Sequence, residues 1–127
     1  MKYLPYFSVL SVALIIIGCS VLKTNNSLYN GTWLLQSKSG GFTGRTLAPD
    51  VETKLVIKNN KMRMYENGKL VSENAFELEK RKVIQSSEIE DVIVNNHFKK
   101  QSVTISNDTL IITDQCYDCF TYYYIKE

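Results

Sequence analysis

An all-β, antiparallel fold of about eight short strands is predicted by two observations. Through residues 31–127 the apolar side chains alternate with polar ones, a period-two pattern that belongs to strands rather than helices. Turn signals recur at Asn59-Asn60, Asn67-Gly68, Asn95-Asn96 and Asn107-Asp108, residue types that tolerate the positive φ of tight hairpins. Strands joined in order by such turns form an up-and-down barrel or a sandwich. No window of this region carries a convincing amphipathic helix.

The chain begins MKYLPYFSVLSVALIIIGCS. Lys2 is a short positive start, Phe7 to Ile17 is an apolar run interrupted by two serines, and Gly18-Cys19 ends it abruptly. This is the layout of a secretory signal peptide, and the run is too short to span a bilayer comfortably. Ile16-Ile17-Gly18-Cys19 resembles the bacterial lipobox, with Ile where Leu is usual. The resemblance implies cleavage between Gly18 and Cys19, a diacylglycerol on the Cys19 sulfur, and an acyl chain such as palmitate on the new N-terminus. Two or more chains anchor stably where one binds reversibly. Ser20 after the cysteine implies the outer membrane, at its periplasmic face or the cell surface. Residues 19–30, containing VLKTNNSLYN, then read as lipidated N-terminus and tether, and residues 31–127 as the domain.

Taking 18 leader residues from 127 leaves 109, enough for one compact domain with a single core. Lys2 leaves with the leader, so 14 basic residues face 13 acidic ones, a net +1. The charges are interspersed, and the run Glu79-Lys80-Arg81-Lys82 reads as a solvated strand end. Such a balance gives no support for a nucleic-acid partner.

The turns set registers. A two-residue turn at Asn59-Asn60 sets Ile57 against Met62 and Leu55 against Met64, with Lys54, Lys58, Lys61 and Arg63 on the other face. A turn at Asn107-Asp108 sets Ile105 against Leu110 and Val103 against Ile112. A slip of one residue would scatter both apolar sets. Asn67-Gly68 pairs Glu66 with Lys69 and Tyr65 with Leu70, although the same register sets Met62 against Glu73. Ala75 to Arg81, Lys82 to Ser87 and Asp91 to Val94 read as extended, and FTYYYIK, Phe120 to Lys126, as a final strand of high β-propensity.

Gly31-Thr32-Trp33 opens the first strand, and its G-x-W pattern is similar to the lipocalin and calycin signature. The resemblance implies that Trp33 packs across one barrel end beneath a basic residue of the last strand. Lys126 is that residue here, where the family usually has Arg. With SGGFTG after the first strand and NDTLIITDQCYDCFTYYYIK as a closing hairpin, the chain looks like the small lipocalin-like lipoproteins of the Bacteroidota. That likeness favours an up-and-down barrel, and a first connection placed over its entrance.

The inward set of such a barrel is Leu55, Ile57, Met62 and Met64, then Val103, Ile105, Leu110 and Ile112, then Tyr123 and Ile125. It has two readings, because barrels of this size are either filled by side chains or hold one small ligand. One yields a lipid-anchored protein that binds a small apolar or amphipathic molecule. The other yields a filled structural or protein-interaction lipoprotein, with Phe120, Tyr122 and Tyr124 turned outward to an envelope partner. No catalytic set, cofactor motif or metal cluster is expected, and the chain is not read as an enzyme. His97 is the sole histidine, beside the Asn95-Asn96 turn, and a Ser or Cys nucleophile needs a positioned base. Glu88 and Glu90 lack an apolar setting that would tune an acid. Gly40 to Arg45 lacks the Lys-Ser/Thr ending of a phosphate loop.

DQCYDCF, Asp114 to Phe120, holds the two cysteines left once Cys19 carries lipid. Two thiols are too few for a four-thiolate zinc site, and a thioredoxin-type centre needs a helix N-terminus. The resembling family has Asp-Gly at this turn, and Cys119 in place of the glycine would be strained at positive φ. Moving the turn to Tyr117-Asp118 sets Cys116 opposite Cys119, and a hairpin-closing disulfide is expected over free thiols in an oxidising compartment. Carried down the strands, that register keeps Ile112, Tyr123 and Ile125 on one face.

Overall fold

A computed structural model describes residues 26–94 and 100–127. The leader, Gly18, Cys19, the Asn95-Asn96 turn and His97 lie outside the described residues. A 3₁₀ helix, Asn26–Tyr29, precedes ten strands: β1 Gly31–Gly40, β2 Arg45–Leu47, β3 Thr53–Lys58, β4 Lys61–Glu66, β5 Lys69–Ala75, β6 Glu77–Lys82, β7 Ile89–Val94, β8 Gln101–Ser106, β9 Thr109–Asp114 and β10 Phe120–Lys126. Every pairing is antiparallel. The sheet runs β5-β4-β3-β1-β10-β9-β8-β7-β6, with β2 off this path on β1. This is an up-and-down order that curls round through the β1–β10 seam and stays open between β5 and β6.

The count exceeds about eight strands because two connections are broken rather than continuous. Lys38 to Gly40 of β1 pair with β2, whereas Gly31 to Leu34 pair with β3. Pro49, which has no N–H to donate, sits in the segment that leaves the sheet between them. Ala75 to Arg81 is likewise divided at Phe76, whose N–H turns to the Asn60 carbonyl at 2.9 Å. Of Lys82 to Ser87, expected to be extended, Lys82 ends β6 and the rest is a connection, not a strand. Side chains hold it instead of a ladder: Ile84 N–H donates to Gln115 Oε1 at 3.0 Å, and the Gln85 side chain donates through Nε2 to the Asp114 carbonyl at 2.9 Å.

The expected turns at Asn59-Asn60, Asn67-Gly68 and Asn107-Asp108 follow the residue types at their tips. Asn59 and Asn60 both take positive φ, 53° and 58°, and Ile57 faces Met62 while Leu55 faces Met64. Asn107 takes φ 55°, with Ile105 opposite Leu110 and Val103 opposite Ile112. Asn67-Gly68 sets Glu66 against Lys69 and Tyr65 against Leu70. A register shift between Met64 and Tyr65 then removes the clash of Met62 with Glu73. Glu73 comes to face Arg63, 3.4 Å from its Nε and 3.5 Å from Lys61 Nζ, and Met62 faces Asn74. The bulge sets the uncharged Ser72 and Asn74 opposite Met64 and Met62 and leaves Glu73 on the charged outer face.

The final hairpin departs from expectation. Tyr122 pairs with Ile112 and Tyr124 with Leu110, so Tyr122 and Tyr124 face inward. Tyr123 and Ile125 take the other face, with Ile125 40 % exposed. Asp118 occupies the left-handed region at φ 57°, and the ladder resumes at Thr113–Thr121, one residue out of step with the Cys116–Cys119 alignment. That offset exchanges the faces of β10. Cys116 and Cys119 nevertheless lie across the tip at disulfide distance, their Cα atoms 5.6 Å apart. So short a loop limits the entropic gain, and Cys116→Ser is expected to lower unfolding free energy by about 2 kcal/mol. The urea midpoint with and without reductant measures this; identical midpoints would show that the pair contributes nothing.

Tyr29, Trp33, Ile57, Val103 and Leu110 are buried together with Phe76 and Ile93 in the core. The 3₁₀ helix brings Tyr29 into this cluster. Trp33 Nε1 donates to the Tyr29 carbonyl at 2.9 Å, and the Tyr29 hydroxyl donates to Asp91 Oδ2 at 2.5 Å. Lys80 Nζ lies 2.9 Å from Asp91 Oδ1, an ion pair without hydrogen-bond alignment. Lys126, beside Gly31 and directly opposite Trp33, holds its ammonium 5.9 Å from the Trp33 ring centre, within cation–π range. One end of the curled sheet is thereby closed.

Candidate functional site

From that closed end, the inward rows change character strand by strand. On β3 the row reads Ile57, Leu55, Thr53; on β4, Met62, Met64, Glu66; on β9, Leu110, Ile112, Asp114. On β8 it reads Ile105, Val103, Gln101. On β1 it reads Trp33, Leu35 and, past a register shift between Leu35 and Ser37, Lys38. Each row is apolar at the closed end and finishes polar at the other. The result is an apolar well with a polar rim.

A cavity of about 370 Å³ occupies the rim half. Its apolar wall comes from Leu35, Leu55, Met62, Met64 and Ile112, and residues 48–51, where the chain leaves the sheet, form one lip. The polar part of the lining is Lys38, Glu66, Gln101, Tyr122 and Tyr124, with Asp50 on the lip. This volume falls in the range of small-molecule sites, which are mostly apolar with a few placed polar groups.

The ten inward candidates divide in three. Leu55, Met62, Met64 and Ile112 line the cavity. Ile57, Val103 and Leu110 fill the closed end as buried core, and Ile105 packs partly buried against them. Tyr123 and Ile125 do not point inward, because of the β10 offset. The interior is thus filled at one end and hollow at the other.

Hydrogen bonding orders the polar wall. Gln101 sits opposite Asp114, and its Nε2 donates to Asp114 Oδ1 at 2.7 Å. Asp114 is 6 % exposed. Lys38 holds its ammonium 5.1 Å from the Phe120 ring centre. Burial pushes the Tyr124 hydroxyl well above the ordinary tyrosine range, and the nearby Tyr122 and Asp114 push it the same way. Burial and Asp114 also raise Tyr122. At the closed end, burial and the bond to Asp91 raise Tyr29. These hydroxyls keep their protons in the folded state where the unfolded chain would lose them. Stability is therefore complete below pH ~10 and falls as pH rises above it, by at most about 1.4 kcal/mol per buried tyrosine and pH unit. Urea midpoints between neutral pH and strongly alkaline pH should show this fall. Tyr29→Phe should flatten it, and an unchanged slope in that variant would remove Tyr29 from the account.

The wall residues Tyr122, Tyr124, Lys38, Gln101 and Glu66 were not among the inward candidates. For Glu66 and Gln101 the signal was available: each alternating row, continued by one more inward position, reaches them. The tyrosines depended on the hairpin offset and Lys38 on the β1 irregularity, neither of which alternation encodes. Glu88 is exposed, and the Glu79–Lys82 run forms surface ion pairs, Arg81 with Glu79 and Lys80 with Asp91. Among the described residues no group of His, Cys, Asp or Glu could hold a metal ion. No protein-family model, curated protein or solved structure matches the chain.

Proposed function

We propose that this chain is a bacterial envelope lipoprotein, anchored through lipid on Cys19 at the outer membrane, whose lipocalin-like barrel binds a small apolar or amphipathic molecule. The single observation that carries the binding half is the cavity of about 370 Å³, apolar in its depth and polar at its rim. Two methionines in its wall suit an adaptable fit, since the thioether chain repacks readily. The anchoring half rests on the leader and its Ile-Ile-Gly-Cys ending. The filled-barrel alternative drew on Phe120, Tyr122 and Tyr124 as outward, partner-facing residues, and of these Tyr122 and Tyr124 line the cavity instead.

Native mass spectrometry of protein purified from its host envelope tests the binding. A mass increment lost on mild denaturation is expected, and Met64→Trp, which fills the cavity, should abolish it while the fold persists. A protein carrying no small molecule, and taking up none from an envelope lipid extract, would sink the reading. Labelled palmitate tests the anchor separately: incorporation that Cys19→Ala eliminates is expected, and an unlabelled wild-type protein would refute it.

A further inference from the structure

Polar groups buried in a protein normally find partners, and those that do not often face a ligand. Tyr124 is 3 % exposed as a residue and lines the cavity, and its hydroxyl, accessible rather than sealed in the core, has no hydrogen-bond partner among the described residues. Gln101 lines the same cavity, and because the Asp114 carboxylate can only accept, the Gln101 amide must turn its nitrogen to it. The Gln101 carbonyl oxygen is left as an acceptor in the cavity wall. Asp114 itself is buried, and among the described residues no lysine, arginine or histidine forms an ion pair with it. A buried carboxylate without a cation is costly, and the field it leaves favours a positive charge nearby.

The remaining charges agree in sign. Asp50 and Glu66 also line the cavity, against a single lysine, Lys38, whose ammonium is engaged with the Phe120 ring. Acceptors and negative charge therefore predominate around the polar wall, while the depth of the cavity is apolar. An ammonium group supplies up to three donors and the missing positive charge. A carboxylate head would meet repulsion from Asp114, Asp50 and Glu66.

Resting on the ligand-binding reading above, we infer that the occupant is a cationic amphiphile. Its protonated amine sits between the Tyr124 hydroxyl and the Gln101 carbonyl in the field of Asp114, and its apolar body lies against Leu55, Met64 and Ile112. Gln101 and Tyr124 are the contact residues; Asp114 is a positioning residue that orients Gln101 and supplies the charge.

Three probes of equal chain length and different head group test this: decylamine, decanol and decanoate, titrated calorimetrically into the purified protein at neutral pH, below their aggregation limits. Decylamine is expected to bind tightest, with decanoate at least ~10-fold weaker, a difference of about 1.4 kcal/mol. Asp114→Asn should bring decylamine and decanoate to similar affinities, and Glu66→Gln, at the more open rim, should narrow the gap in the same direction. Tyr124→Phe should weaken decylamine and decanol together. Decanoate binding as tightly as decylamine to the wild-type protein overturns the inference, and that comparison needs no variant to fold. Equal binding of all three probes would leave the cavity as a binding site and remove the amine assignment. Failure of all three to bind would count against both.

Discussion

Trp33→Ala is expected to lower the unfolding free energy by about 3–5 kcal/mol, the range for removing a large aromatic side chain from a core. Trp33 is 2 % exposed and belongs to the cluster that closes one end of the sheet. Its indole also holds the 3₁₀ helix in place through the 2.9 Å bond to the Tyr29 carbonyl. Truncation thus opens a void and leaves a buried carbonyl without its donor. Trp33→Phe separates the two effects. It keeps one aromatic ring in the core and removes the N–H together with the smaller ring, with ~1–3 kcal/mol expected for the unsatisfied carbonyl. Equilibrium urea unfolding measures both variants. If Trp33→Phe proved as damaging as Trp33→Ala, packing would not be the main contribution of the indole.

Gly40→Ala should be nearly as damaging, for a reason that lies in the backbone. A Cβ on Gly40 would come within 2.3 Å of the Cys119 carbonyl oxygen, and the residue sits at φ 117°. Backbone strain of ~1–3 kcal/mol and overpacking of ~1–3 kcal/mol both apply, so a loss of about 3 kcal/mol is expected. Gly44 provides the comparison: it also has positive φ, at 64°, but nothing lies within 4 Å of the position its Cβ would take. Gly44→Ala therefore reports the conformational part alone, about 1–2 kcal/mol. Equal losses in the two variants would mean that the approach of Gly40 to Cys119 adds nothing. The contact matters to the site because it docks the β1–β2 turn on the cysteine hairpin, where Gly41 N–H donates to the Cys119 carbonyl at 3.1 Å.

Much of the architecture was legible because the determinants were local. Asn59-Asn60 and Asn107-Asp108 each combine a turn that accepts positive φ with apolar positions that agree on one register. Two constraints that point to the same pairing leave little freedom. The β4–β5 hairpin shows the limit of that logic. Its turn was readable, and the conflict of Met62 with Glu73 was visible. The remedy was a bulge, which alternation does not encode and which brings Glu73 to Arg63 and Lys61.

Residue order alone therefore established an antiparallel all-β chain, the registers of the hairpins at Asn59-Asn60 and Asn107-Asp108, and the closeness of Cys116 to Cys119. Each depends on neighbours a few positions apart, whose alternation and turn chemistry act before any distant strand arrives. Which face of β10 turns inward was settled in three dimensions, by the positive φ at Asp118 and the single-residue offset beyond it. The hollow was settled there too. A cavity is a property of volume summed across facing strands, and the same Leu, Met and Ile rows could fill a more tightly curled sheet. Here the path of residues 48–51 out of the sheet and the turn of Tyr122 and Tyr124 into it give the rim its space and its polar wall.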